Sequence, residues 1–454
     1  MTKIVKSLNT YELKDCGRII VYNSLFGNAR VVDEMTKQLL NFFEKPHSFD
    51  EFVQEINVTE DEYPIVKDIV NDFLEAKILV VCGEDERKII EEDNIRRMNA
   101  CNNSFPFEFI GFSVTKKCNF ACKYCIAGSN TIRNDNQDFP LEVLYENISK
   151  FAEELIENGK STLNIGFTGG EPLTYWNNLR KVIIRVFSKY RNDLDINIFI
   201  NTNLSLMTEE IASFFEEYNF HPSTSLDGVE NWNDKVRIYK SGAGTFLDIV
   251  SGIKTLRKHN VLCDGFYITL TKDNFGFDIN ELIRFAKEND FVSITIEPDL
   301  VDIIDISISE LCDKLIECYE IGKENGIDVV GFWKRPFNNM FNYEDSSSGF
   351  CRALDFKSIV VDREGFIAPC GYSITKITKT DKYAKLMKNE SYRNYIYNNL
   401  RGNIEKCKGC RIEGMCKGGC LISREAAHND KVFEYRCELY KKMTDLLLRH
   451  AEFE

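Results

Sequence analysis

Apolar residues change their spacing along the chain, and the changes mark its units. In residues 1–81, Arg18 to Tyr22 reads as a strand. Met35, Leu39, Leu40 and Phe43 then form the stripe of a helix that Asp33 can cap. Ser48 with Glu51 three residues later is a capping box, opening a short helix that bears Phe49, Phe52, Val53 and Ile56. A third helix follows Thr59, with Ile65, Ile69, Val70 and Phe73 at helical spacing, and Ile78 to Val81 returns as a strand. Strands with three helices in so short a span predict a small winged-helix-like unit. Residues 82–104 are charged and polar and read as a linker, partly helical. From there the pattern alternates. Strand-like runs occupy Phe107 to Val114, Leu163 to Phe167, Ile196 to Ile200, Pro222 to Leu226, Gly265 to Leu270 and Ser293 to Ile296. Helical stretches such as Leu141 to Glu157 and Phe246 to Lys258 separate them. Repeated βα units over residues 105–330 predict an α/β fold on a parallel sheet, with chemistry at the C-terminal ends of the strands. Residues 331–454 form a last unit, marked by its cysteines.

The candidate chemistry begins just after the first of those strands, at Cys118-x3-Cys122-x2-Cys125. Three thiolates on one short loop can hold three irons of a [4Fe–4S] cluster and leave the fourth open to a small molecule. Phe120 and Tyr124 can shield such a cluster from water. A chance triplet and a zinc site are the competing readings. Against zinc, no His follows at ligand spacing, and structural zinc takes four ligands. After the second strand comes Thr168-Gly169-Gly170-Glu171-Pro172. The pairing of the two motifs resembles the radical S-adenosylmethionine (SAM) enzymes. The resemblance implies a partial (β/α)6 barrel in which the open iron chelates SAM. Gly169, Gly170 and Glu171 would meet the SAM amine, the glycines by close backbone approach and Glu171 by charge.

A second constellation narrows the resemblance. Cys351 is followed by 13 residues, Gly365, four residues and Cys370; Cys407-x2-Cys410-x5-Cys416-x3-Cys420 and, 16 residues on, Cys437 complete it. These seven cysteines look like the SPASM extension of radical SAM peptide and protein modifiers, which carries two auxiliary [4Fe–4S] clusters. Carried across, Cys407, Cys410, Cys416 and Cys437 would fill one cluster, and Cys351, Cys370 and Cys420 would hold the other. The fully ligated version has one more Cys shortly before the first. Here Asp345-Ser346-Ser347-Ser348-Gly349-Phe350 contains none, so that cluster has an open iron or a ligand such as Asp345. The other six cysteines (Cys16, Cys82, Cys101, Cys263, Cys312, Cys318) read as buried small hydrophobes.

Further SAM contacts follow from the same resemblance. Thr202 and Asn203 follow the third strand and Ser225 closes the fourth. Ser225 would meet the ribose and Arg237 the methionyl carboxylate, which a guanidinium fork can bind through two oxygens. Where the family often has His-Asp before this Arg, the chain has Asn233-Asp234. Glu297 and Asp299, after the last strand, read as ordinary loop acids rather than cavity residues.

Charge and composition limit the partners. A formal net charge of −14 argues against nonspecific nucleic-acid binding. The first residues lack a signal-peptide pattern and no apolar run is long enough for a membrane span, so a cytoplasmic location is expected. Sixteen cysteines then mean metal ligation, not secreted disulfides. Residues 1–81 resemble, in pattern and position, the recognition element of enzymes that modify ribosomally made peptides. Such elements bind a precursor's leader as an added strand. The resemblance implies a 5′-deoxyadenosyl radical that takes a hydrogen from a peptide, with flavodoxin or ferredoxin as reductant. An open auxiliary iron could bind a substrate Cys, which predicts thioether formation, with carbon–carbon crosslinking or epimerisation as other outcomes. An anaerobic sulfatase-maturing enzyme is a rival. That class usually lacks the N-terminal unit and has an acid after the Cys that Cys370 matches, where this chain has Gly371 and Tyr372. An iron–sulfur electron carrier or a peptide-binding scaffold are the non-enzyme alternatives, but neither has a use for the Gly-Gly-Glu-Pro motif.

Overall fold

The structure, a computed structural model, describes residues 2–15, 17–126, 138–299, 305–342, 347–426 and 430–453. Cys16 and Asp345 lie outside the described residues.

The N-terminal unit contains more strands than the apolar pattern announces. β1 (Lys3–Lys6), β2 (Thr10–Asp15), β3 (Arg18–Asn23), β4 (Gly27–Val32), β5 (His47–Ser48) and β6 (Leu79–Val81) form two antiparallel sheets, in the orders β5-β1-β6 and β2-β3-β4. β1 and β2 are rich in Lys, Glu and Thr, so hydrophobicity does not mark them; they are strands because a neighbour's ladder completes their hydrogen bonds. Helices α1 (Glu34–Phe42), α2 (Phe49–Glu55) and α3 (Tyr63–Glu75) cover the core of Leu40, Phe43, Phe52, Val70 and Phe73. Asp33 caps α1 through the Thr36 amide, and both halves of the Ser48–Glu51 box are made. α3 starts at Tyr63, with Pro64 in its first turn, where its missing N–H costs nothing.

Residues read as a partly helical linker are largely a helix, α4 (Glu86–Ala100), held to the N-terminal unit through Asn23 on Glu86 and to the C-terminal unit through Glu413. Ile90, Asn94 and Met98 are buried on one side, and Arg87 makes a two-bond pair with Glu413 at 2.9 and 3.0 Å. Charges on its other faces conceal that thin apolar stripe in the sequence. The loop Ser24–Leu25 also docks on the C-terminal unit: Gly414 donates its amide to Ser24 at 2.9 Å, and a Cβ on Gly414 would meet the Leu25 carbonyl at 1.8 Å.

The central unit is an open barrel. β7 (Phe109–Thr115), β8 (Thr162–Gly169), β9 (Asp195–Asn201), β10 (Phe220–Ser225), β11 (Gly265–Leu270) and β12 (Ser293–Pro298) pair in parallel, in sequence order. β13 (Asp328–Val330) extends the β12 edge; β14 (Ser358–Val361), β15 (Phe366–Ala368) and β16 (Thr378–Lys379) extend the β7 edge, giving ten strands. The C-terminal unit thus enters the barrel sheet through β14, which pairs in parallel with β7. The helices Leu141–Glu157 and Phe246–Lys258 fall where the sequence predicts them. Strand side chains alternate. Ile165 and Phe167, Ile198 and Ile200, and Ile294 and Ile296 are buried in the main core. The opposite face is more open and more polar at its C-terminal end: Thr168, Asn201, Ser225, Thr269 and Glu297 lie beyond an aromatic floor of Phe109, Phe199 and His221. Among the described residues no helix is long and apolar enough to cross a membrane.

Candidate active site

The loop carrying Cys118, Cys122 and Cys125 is clamped from two sides. On one, the amide of Ala121 donates to Ile238 at 2.7 Å and that of Lys123 to Val236 at 3.0 Å, while the Phe120 ring meets Tyr239 edge-on at 5.0 Å. On the other, Gly170 donates to Thr115 at 2.8 Å and Glu171 to Lys117 at 2.7 Å. A Cβ would come within 2.2 Å of the Thr115 carbonyl at Gly169 and 2.2 Å of the Lys117 carbonyl at Gly170. Here the two glycines therefore serve close packing against the cysteine loop's own backbone.

Glu171 is buried, and its carboxylate is fully engaged: it accepts from the Leu173 amide (2.9 Å), the Thr202 hydroxyl (2.7 Å) and the Asn203 amide (2.7 Å). Burial pushes its pKa up against those three donors. A buried acid with a desolvated carboxylate gains from a cation nearby. The Asn203 side chain donates to Asn119 at 3.0 Å, and Asn119 donates to Ser205 at 2.8 Å, so the end of β9 holds the cysteine loop directly. Ser225 ends β10 beside Tyr267 of β11. Arg237 is buried against the loop: Nε bonds Asp227 at 3.1 Å, and Nη2 donates to the Tyr124 hydroxyl, which itself donates to Asp227. Asp227 is fully buried and also accepts the Thr269 amide at 2.9 Å. Asn119, Tyr124 and Asp227 thus organise the site. The sequence offered Tyr124 only as a shield for the cysteine loop and did not single out Asn119 or Asp227, although Asp227 stands two residues after Ser225 at a strand end, where site residues gather.

The C-terminal cysteines fall into two electrostatic groups. Cys416 feels Cys407, Cys437 and Cys410 as neighbours, and these with Cys420 line a cavity of about 120 Å³. Cys370 feels Cys420 and Cys351. Burial pushes the thiols up: Cys118, Cys370 and Cys407 to about 11, Cys122 and Cys437 to about 12. Without metal such thiols are neutral, and ligation releases their protons. Among the described residues no three ligating side chains converge as around one ion. A multi-iron cluster instead needs thiolates spread around a volume, which suits these loops and this cavity.

The remaining expectations divide. Cys263, Cys312 and Cys318 are buried as expected, Cys101 is half-buried, and Cys82 is exposed, because it lies just past β6 in a surface turn. Glu297 is not a loop acid but part of β12, on the inward face. Asp299 follows the strand, its amide bonded to Leu270 at 3.1 Å.

Residues 112–286, from β7 to the helix before β12, match the sequence profile of the radical SAM superfamily. The chain carries a radical SAM domain. Enzymes of this class use a [4Fe–4S] cluster and SAM, and the cysteine loop with its clamps is compatible with both. Over 98% of its length the enzyme is 26% identical to the radical SAM cyclopropyl synthase TigE of Paramaledivibacter caminithermalis, covering 96% of that protein. It is 25% identical to a cysteine-type anaerobic sulfatase-maturating enzyme of Clostridium novyi, over 72% of this chain and 91% of the relative. Streptococcus suis SuiB, solved bound to its precursor peptide SuiA, shares the fold with a TM-score of 0.52 at 16% identity, over 93% of this chain and 96% of SuiB.

Proposed function

We propose that the enzyme is a peptide maturase that closes a new bond within a ribosomally made precursor by removing two hydrogens. One observation carries the peptide reading. The N-terminal unit offers β4 as an edge strand beside a groove formed with α3, lined by Val31, Thr36, Ile65 and Ile69, and the Ser24 carbonyl of that unit accepts the Gly414 amide of the cysteine-rich region. Val31 and Ile65 are 40% and 63% exposed, so the groove has apolar surface to offer a leader added as a strand. The fold shared with SuiB, solved bound to its precursor peptide, over 93% of the chain supports the same reading, whereas the sulfatase-maturating relative leaves over a quarter of the chain unmatched.

In this reading Cys118, Cys122 and Cys125 hold the SAM-binding cluster. Glu171 with Thr202 and Asn203 sets the end of β9, and Ser225 and Arg237 flank SAM. Cys407, Cys410, Cys416 and Cys437 hold one auxiliary cluster, and Cys351, Cys370 and Cys420 the other. When bound and reduced by a flavodoxin or ferredoxin, this cofactor pair supplies a 5′-deoxyadenosyl radical, which the protein positions and keeps from water. The polar inner ends of β8 to β12 receive the peptide.

Two bonds compete. A three-cysteine auxiliary cluster favours a thioether to a substrate Cys. The likeness to a cyclopropyl synthase favours carbon–carbon ring closure, and it has the stronger support because it spans nearly the whole chain. Anaerobic reconstitution with the Cys-rich precursor expected to be encoded beside the gene tests both. The product should lack two hydrogens per event; alkylation should then count every thiol intact for ring closure and one fewer per thioether. A product of unchanged mass sinks the reading. Separately, Ile65→Asp should weaken binding of a fluorescent leader about tenfold, roughly the loss of one apolar contact plus a desolvated charge, while deoxyadenosine release stays at the wild-type rate.

A further inference from the structure

Glu297 sits two residues beyond Thr295 on the inward face of β12, in register with Thr269 of β11. Its Oε1 accepts the Phe332 amide. Its Oε2 is buried and has no hydrogen-bond partner among the described residues. A bare buried carboxylate oxygen costs stability, and such groups persist where something else uses them. Arg436 lies nearby, its Nη2 donating to the Pro298 carbonyl at 2.9 Å and to that of Asp299, and its Nη1 is likewise buried with no partner among the described residues. Among the described residues the other titratable groups facing Glu297 are Arg335, Tyr267 of β11 and Tyr440 of the helix Asp430–His450. Burial lifts the carboxyl to about 7, against the opposing pull of the Phe332 amide and the two arginines. A group at that value takes up or gives a proton readily at neutral pH.

We propose that Glu297 is a catalytic base whose Oε2 takes the proton that leaves the peptide as the new bond closes. This rests on the maturase reading. Making one bond from two X–H bonds removes two hydrogens. One leaves as an atom to the 5′-deoxyadenosyl radical, giving 5′-deoxyadenosine. The other leaves as a proton to Glu297, and its electron passes to a one-electron acceptor of the iron–sulfur class, which is reduced. The same balance holds for a thioether and for ring closure.

The test uses the reconstituted enzyme and the deuterated precursor. Glu297→Gln should still bind the precursor within about threefold and still carry deuterium into 5′-deoxyadenosine. Closed product should fall at least about a hundredfold, the usual range for a lost general base, and Glu297→Asp should restore part of it. Product formation by the wild type should rise as pH increases through about 7, because the deprotonated carboxylate is the active form, and the Gln variant should lack that limb. In the SAM-free holoenzyme, the infrared carbonyl band of a protonated carboxylic acid should vanish over the same pH range and be missing in the Gln variant. Wild-type product yield from Glu297→Gln overturns the base assignment, as does loss of deuterium transfer or of peptide binding, which would mark a positioning role. If the wild type itself releases deoxyadenosine and never alters the peptide, the maturase reading falls and takes this proposal with it.

Discussion

Cys122→Ala should bring 5′-deoxyadenosine release under dithionite down to background, a loss of at least about a hundredfold, since removing a ligand costs more than the 10–100-fold typical of groups behind the ligands. Cys122 stands between two backbone clamps, Ala121 on Ile238 and Lys123 on Val236, so a substituted loop keeps its path and loses only the thiol. The variant should therefore bind the leader peptide as the wild type does and lose the spectroscopic change that SAM causes in the reduced enzyme. Cys82→Ser is the matched control: that thiol is exposed in a surface turn, and its removal should leave release unchanged. Release that survives in Cys122→Ala would remove the basis for every functional statement about the barrel.

Asp227→Ala should destabilise the enzyme by about 3–5 kcal/mol, the range for stripping one partner from a buried ion pair. Asp227 has no solvent exposure, and Arg237 retains almost none. Removing the carboxylate leaves the guanidinium, the Tyr124 hydroxyl and the Thr269 amide without their common acceptor. Two of those groups bear on the cysteine loop and the third on β11, so loop order and barrel stability should fall together. Denaturant unfolding of the reconstituted enzyme measures the first effect, and SAM affinity the second. Asp227→Asn, which keeps the shape and one acceptor oxygen, should lose less. Equal stability of Asp227→Ala and wild type would show that Arg237 is satisfied elsewhere and that this pair does not organise the site.

Parts of this were readable before any fold was known. The six strands of the barrel show as apolar runs because one face of each lies under helices. The helix at Leu141–Glu157 shows through its stripe, and the caps at Asp33 and Ser48 through their side-chain chemistry. Cysteine spacing carried the cluster reading, because ligands on one loop are neighbours whatever the rest of the chain does. The polar strands β1 and β2 were not readable in that way, and the helix α4 was readable only as partial helicity in a linker. Their stability comes from partners, a neighbouring ladder in one case and Glu413 in the other.

The sequence by itself determined the order of βα units, the three-cysteine loop after the first strand and the Gly-Gly-Glu-Pro turn after the second, since each depends on residues close along the chain. Only the tertiary structure decided that Gly169 and Gly170 make room for the cysteine loop's backbone, that Asp227, Arg237 and Tyr124 form one buried knot, and that Glu297 keeps a buried oxygen with no partner among the described residues. Those facts join residues separated by tens to more than a hundred positions, and local spacing carries no information about which distant groups will share a desolvated site, where pairing is required.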